Sequence, residues 1–331
     1  MPEWTIDQEG AGVRLDAWLA CRPEVGSRGR ARMWIARGKV FLNGEALLFS
    51  GAGRRLKAGD RVHLWIDRPG SARAGRRDVA AARNTLRVVY EDRDLVVVDK
   101  PAGMLVEPLP QSDASTVTML DLVADHVRPA ARARPRVVHR IDRDTTGLVV
   151  FALTLDAQQS LKAQFERRTP ERVYLALLRG KVQPPSGVWK DRLVWDKDRR
   201  IQKRALEGEE RARDAIARYR VVEQFERAAL VEIALVTGKR NQIRKQAALR
   251  NHPLVGERLY VSQTARPAPG DPALDRQALH AHRLSFRHPT TGACVNVEAP
   301  VPADLARLVA RLRENGRTWR DRRESRITSN E

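Results

Sequence analysis

The densest chemistry in the chain is the run Val137-Val138-His139-Arg140-Ile141-Asp142-Arg143-Asp144-Thr145-Thr146-Gly147. It sets an imidazole, carboxylates and guanidiniums between two apolar stretches, the usual way a scaffold presents reactive groups from a loop. Three chemistries are open to it. A metal could draw on His139, Asp142 and Asp144, but the interleaved Arg140 and Arg143 oppose a cation. A phosphotransfer loop of the His-Arg-Asp type would need the acid directly after the arginine and a glycine-rich phosphate loop, and neither is present. The third is a metal-free carboxylate, Asp142, acting as nucleophile or base beside arginines that keep it ionised. Two further segments supply suitable companions. Arg172-Val173-Tyr174 opens an apolar run, with an aromatic ring able to stack on a planar base. Thr237-Gly238-Lys239-Arg240-Asn241-Gln242-Ile243-Arg244 crowds cations and amides into a short turn. Singly, each has a plainer explanation: Tyr174 a strand core residue, Arg244 a surface ion-pair partner, Asp142 the cap of a turn.

The elements that must position these groups are strand-like. Apolar runs at Leu95–Val98, Gly147–Leu153, Val173–Leu178, Tyr219–Phe225 and Leu230–Val236 punctuate the chain from residue 86 onward. Helical spacing appears at 155–167, through Leu161 and Phe165, and again at Leu305, Leu308, Val309 and Leu312, with Gly316 as the expected stop. Strands without a βαβ rhythm predict an α+β fold with a mostly antiparallel sheet. The first part of the chain reads differently. Leu15, Trp18 and Leu19 share a helical face; Ala31, Trp34 and Ile35 form a second, capped by Ser27 and stopped by Gly38. Val40-Phe41-Leu42 then enters an Asn43-Gly44 turn, the strongest short hairpin signal.

Composition narrows the partners. The 331 residues are 42% hydrophobic and 31% charged, which excludes a membrane-embedded, collagenous or wholly disordered chain. Lys and Arg number 61 against 41 Asp and Glu, a net charge of +20 that suits a polyanion. Arg28, Arg30, Arg32 and Lys39 gather on and around one short helix, a candidate RNA-binding face. Cys21 and Cys294 stand far apart in sequence, so neither a disulfide framework nor a zinc cluster is expected. With no apolar leader segment, the expected compartment is the cytoplasm.

Taken together and in order, these segments resemble the RluA-type RNA pseudouridine synthases. His139-Arg140-Ile141-Asp142 with Thr145-Thr146-Gly147 is similar to that family's HRLDxxTSG signature, and Lys100-Pro101-Ala102-Gly103 to its KPxG segment. Arg172-Val173-Tyr174 through Gly180 resembles KxYxAxxxG. Thr237–Arg244 with His252-Pro253 and Gly256 resembles TGRxHQIR…GHPxxGD. Leu279-His280-Ala281 with His288-Pro289 resembles the closing LHAxxLxFxHP. The likeness spans roughly residues 90–300. Around residues 12–66, Arg14-Leu15-Asp16, Ser27-Arg28, Gly38-Lys39-Val40, Asn43-Gly44 and Ala58-Gly59-Asp60 resemble an S4 RNA-binding domain. The chain departs from the family pattern at several positions: Asn241 replaces the usual His, Lys239 the usual Arg, Arg172 the common Lys, and Glu257 the usual Asp.

Small and charged residues without a core pattern predict a flexible linker at 68–84, and the basic run a disordered tail at 317–331. The resemblance implies an S4-like domain at 12–67 and a catalytic domain at 85–316. It implies isomerisation of uridine in RNA without metal or organic cofactor, by base flipping. Asp142 would be the catalytic carboxylate, attacking the sugar or abstracting a ribose proton. Tyr174 would stack on the base, Arg244 would pair with Asp142, and Arg140 would contact the RNA. The expected substrate is large-subunit ribosomal RNA, and the expected state a monomer. Transfer RNA as substrate, or a non-catalytic RNA-binding assembly factor on the same scaffold, are the alternatives.

Overall fold

A computed structural model describes residues 2–36, 38–47, 52–65, 86–109, 116–128, 135–196, 201–261 and 270–328. The expected linker at 68–84 lies outside the described residues. The chain divides into two compact units, Met1–Thr85 with Glu107–His126, and Leu86–Val106 with Val127–Glu331.

In the first unit, β1 (Glu3–Thr5), β2 (Val40–Leu42), β3 (Glu45–Ala46) and β4 (Arg61–Leu64) form an antiparallel sheet in the order β1-β4-β2-β3. Helices α1 (Leu15–Ala20) and α2 (Arg28–Ala36) belong with it. Leu15, Leu19, Ala31 and Ile35 are buried in one core with Val40, Val62 and Leu64, so both helical faces read from spacing are the packed ones. Ser27 Oγ accepts from the Arg30 amide, the expected N-cap. Asn43 and Gly44 both adopt positive φ (53° and 84°), as a two-residue hairpin turn requires. Helix α3 (Met119–Val127) starts at Thr118, whose amide and hydroxyl both donate to Asp121.

The second unit is built on an eleven-stranded sheet. Its strands are β5 (Val88–Glu91), β6 (Leu95–Lys100), β7 (Arg136–Val137), β8 (Thr146–Ala152), β9 (Glu171–Arg179), β10 (Ser186–Asp196), β11 (Ile201–Arg204), β12 (Arg213–Gln224), β13 (Ala228–Leu235), β14 (Leu279–Arg287) and β15 (Cys294–Glu298). The order is β11-β10-β12-β13-β9-β14-β8-β6-β5, with β7 also on β8 and β15 also on β14. Every pairing is antiparallel except β8 with β14. All of β8 is buried, which explains why residues 147–153 read as an unbroken apolar run rather than an alternating one. Helix α4 (Leu155–Arg167) packs Ala157 and Leu161 into the core of β6, β8 and β14. Helix α5 is Gln242–Leu249, and α6, Ala303–Thr328, packs Leu305, Leu308 and Val309 with Leu177 of β9 and Leu230 of β13.

The expected end of the last helix at Gly316 is corrected: α6 continues to Thr328. A single glycine inside a helix costs about 1 kcal/mol against alanine, which a following stretch rich in Arg and Glu without proline offsets.

Candidate active site

Asp142 lies in the loop between β7 and β8, and three anchors fix that loop. At its start, His139 Nε2 accepts from the Val150 amide at 3.1 Å, and its ring stacks on Phe165 with centroids 4.5 Å apart. Burial and the nearby Arg172 charge push this imidazole down to about 3, so it is a neutral structural ring. With Nε2 an acceptor inside the fold, His139 has no ring lone pair left for a metal. At its end, Gly147 (φ 109°) lies so close to β14 that a Cβ would fall on the backbone of Ala281. Only glycine fits the parallel crossing of β8 and β14.

The third anchor is Lys100, at the end of β6 and fully buried. Its Nζ donates to the carbonyls of Pro101 (2.8 Å), Met104 (2.9 Å) and Arg143 (2.8 Å). Arg143 Nε reaches back to the Gly103 carbonyl at 3.0 Å. These bonds stitch the Lys100-Pro101-Ala102-Gly103 turn to the residue after Asp142. Burial pushes Lys100 down to about 7, while Asp144 and Asp142 hold it up.

Arg244 sits one turn into α5 and faces two acids. Its Nη1 is 3.4 Å from Asp142 Oδ2, whereas Nε and Nη2 each lie 2.7 Å from an oxygen of Glu257. The bidentate contact is with Glu257, so the expected pairing of Arg244 with Asp142 is the looser of two. Glu257 is fully enclosed and also accepts from the amides of Arg258, Leu259 and Tyr260. Those bonds and Arg244 hold it below the ordinary carboxylate range despite burial. Asp142 is shifted the other way. Burial raises it, and Glu257 adds to the rise, against the opposing charges of Arg244 and Arg240. Sequence reasoning noted Glu257 only as a departure from Asp; an acid directly after Gly256 was the available signal.

Asn241 completes the site. With its amide nitrogen turned to the carboxylate it donates to both Asp142 oxygens, at 2.8 and 2.9 Å, and its oxygen accepts from the Tyr260 hydroxyl at 3.0 Å. The opposite orientation keeps a 3.0 Å bond to the Tyr260 hydroxyl and gains a 3.5 Å contact with Arg244, but sets oxygen against both carboxylate oxygens, so the first prevails. Tyr174, on β9 between Ile233 and Ala281, is buried close enough to Asp142 to feel its charge. Arg140 is exposed on the loop. A carboxylate raised by burial, aimed by an amide and a guanidinium and flanked by a ring, is equipped to act as nucleophile or base.

In the first unit the basic helix is engaged within the fold. Arg28 and Arg32, with Arg14, converge on Asp16, whose side chain is 0% exposed, at 3.4, 2.7 and 3.1 Å. Arg30 is exposed and Lys39 half-buried. Among the described residues, Asp92, Asp94 and His288 have metal-ligand spacing. There, His288 Nδ1 accepts from the amides of Thr290 and Thr291, so Nε2 carries the proton and donates to Asp92 at 2.8 Å. Both ring nitrogens are engaged, and the cluster ties two turns together.

Comparison with known proteins shows the family and the fold. The family model for RNA pseudouridylate synthase matches residues 94–249. The RNA pseudouridine synthase YlyB of Bacillus subtilis (strain 168) is 34% identical, over 94% of this chain and 98% of its own length. The ribosomal large subunit pseudouridine synthase D of Xanthomonas campestris pv. campestris is 36% identical, over 94% and 92%. Among solved structures, human RNA pseudouridylate synthase domain containing 4 superposes with a TM-score of 0.61 at 21% identity. That match covers 72% of this chain and 98% of the human one, and it shows the shared fold.

Proposed function

The chain belongs to the RNA pseudouridine synthase family, enzymes that are isomerases, and from that premise we propose that it converts specific uridines of large-subunit ribosomal RNA to pseudouridine with Asp142 as the catalytic carboxylate. The observation that carries the reading is Asp142 itself: half-buried, raised in pKa, and held by Asn241 and Arg244 beside Tyr174. The flipped nucleotide would lie against Tyr174 with its C1′ within reach of Asp142. Asp142 then either attacks the sugar or takes a ribose proton as the N1–C1′ bond breaks. The freed uracil turns and rejoins through C5, the C5 proton leaves, and N1 gains one, so substrate and product are isomers. Arg140, exposed on the same loop, would contact the RNA around the vacated position.

The first unit supports a structured RNA substrate. Its two helices and antiparallel sheet fit an S4-like domain, and Arg28, Arg30, Arg32 and Lys39 lie on the segment proposed to meet phosphates. Relatives named for the ribosomal large subunit favour ribosomal over transfer RNA. No described helix is long and apolar enough to cross a membrane.

The test is tritium release from C5-labelled total RNA of a strain lacking the gene, with EDTA present throughout. Release by the wild type and none by Asp142→Asn is the expected result. No release from any RNA fraction, with tight RNA binding retained, would make the protein a binding factor on a synthase scaffold.

A further inference from the structure

Asn241 departs from local rules in two ways. It is a non-glycine residue in the left-handed region (φ 51°, ψ 26°), and it stands at the N-cap of α5 without capping it. An asparagine there would ordinarily turn its side chain onto a backbone amide of the first helical turn. Here Gln242 serves the neighbouring turn instead, its Oε1 accepting from the Lys239 amide at 2.9 Å and from the Thr237 hydroxyl at 2.8 Å. The Asn241 amide is thereby released to face Asp142 and Tyr260. A forgone cap and a left-handed backbone are local concessions that call for a compensating role.

We propose that Asn241 is a positioning residue that fixes both oxygens of Asp142 through its amide nitrogen, with the Tyr260 hydroxyl bonded to the amide oxygen, so that the carboxylate keeps one charged, aimed geometry before substrate arrives. The inference rests on Asp142 being the catalytic group. Arg244 cannot do this alone: its single 3.4 Å contact leaves one Asp142 oxygen without a guanidinium, and its stronger bonds go to Glu257. An amide also donates at every working pH, whereas the histidine usual at this position in the family changes charge near neutrality.

The groups facing Asp142 are Arg244 and Arg240, which favour its charged form, Glu257, which opposes it, and Lys100, Tyr174 and Tyr260. Against that background the Asn241 amide nitrogen adds contacts to both oxygens of the ionised form. Removing them must raise the acid limb of kcat, because the reaction needs the carboxylate.

Two variants keep the backbone able to hold positive φ: Asn241→Asp, which is isosteric but replaces the donor with a charge, and Asn241→Gly, which deletes the side chain. With kcat and KM measured from pH 5 to 8.5 on ribosomal RNA, the acid limb should rise by about one unit in Asn241→Gly, a tenfold loss on that limb. It should rise further in Asn241→Asp. KM should stay within about threefold, since affinity rests on phosphate contacts elsewhere. Asn241→His, whose ring keeps an N–H donor in either charge state, should recover much of the activity. A wild-type acid limb in both the Asp and Gly variants, or a change confined to KM, overturns the proposal. Asp142→Asn is assayed alongside: activity there would refute the assignment of Asp142 itself, a different failure.

Discussion

The two units each hold a carboxylate among arginines, and the two have been put to opposite uses. Asp16 is sealed from solvent and takes hydrogen bonds from Arg14 and Arg32 and a contact from Arg28. Burial alone would raise its pKa, but the Arg14 and Arg32 bonds and the surrounding charge drive it down to about 2. Asp142 is 27% exposed, has one loose guanidinium contact, and moves upward. Asp16 is saturated, with no lone pair left for a substrate, and holds helix to helix. Asp142, held by the Asn241 amide and that one loose guanidinium, stays partly exposed, and the fold tolerates its raised pKa because the loop is anchored by His139, Gly147 and Lys100 rather than by its own charge. Reactivity here is what remains when a carboxylate is denied its full complement of partners.

The sharpest test of this contrast is to neutralise each acid. Asp142→Asn should lower kcat by at least about a thousandfold, with no loss of melting temperature at pH 7. A carboxyl whose folded pKa is raised makes the native state less stable once ionised, so its removal is neutral or stabilising. Asp16→Asn should do the reverse, weakening the first unit by about 2 kcal/mol in urea unfolding, a value below that of a fully buried pair because its partners are half exposed. Turnover at saturating RNA should be kept. The same pair differs in acid: the contribution of Asp16 is present above its ordinary carboxylate range and is lost as pH falls toward about 2, a loss that Asp16→Asn should abolish. A drop in melting temperature for Asp142→Asn as large as that for Asp16→Asn would erase the distinction.

Glu257→Gln should lower kcat about tenfold by loosening Arg244. It should also move the acid limb to lower pH, since Glu257 raises Asp142. That direction is opposite to the one expected for Asn241, and a pH profile separates the two. The smallest effect belongs to Arg30→Gln, which should reduce the salt slope of RNA binding by about one and leave kcat alone.

Local pattern revealed much of this molecule. The apolar runs marked β6, β8, β9 and β13, Asn43-Gly44 marked its hairpin, and the charged run marked the Asp142 loop. Pattern fails where a partner is distant. Nothing near Arg244 signals that its stronger bond is to Glu257, thirteen residues on. The contacts of Arg28 and Arg32 with Asp16, on another helix, are invisible to periodicity. Gly316 read as a stop because glycine is a weak local signal that the rest of α6 overrides. The Asn241 backbone was equally hidden, since a left-handed asparagine looks in sequence like any turn residue.

Lys100 has a consequence for how the site opens. Its ammonium closes three backbone carbonyls at once, one of them just past Asp142, and no other side chain supplies three donors from one point. For the loop to swing out, those carbonyls would be stranded and β6 would lose its end, so local opening and unfolding of the sheet become one event. The Thr145 amide, which bonds the Asp142 carbonyl at 3.1 Å, should then exchange its hydrogen on the timescale of global unfolding, as a strand amide does and a surface loop does not.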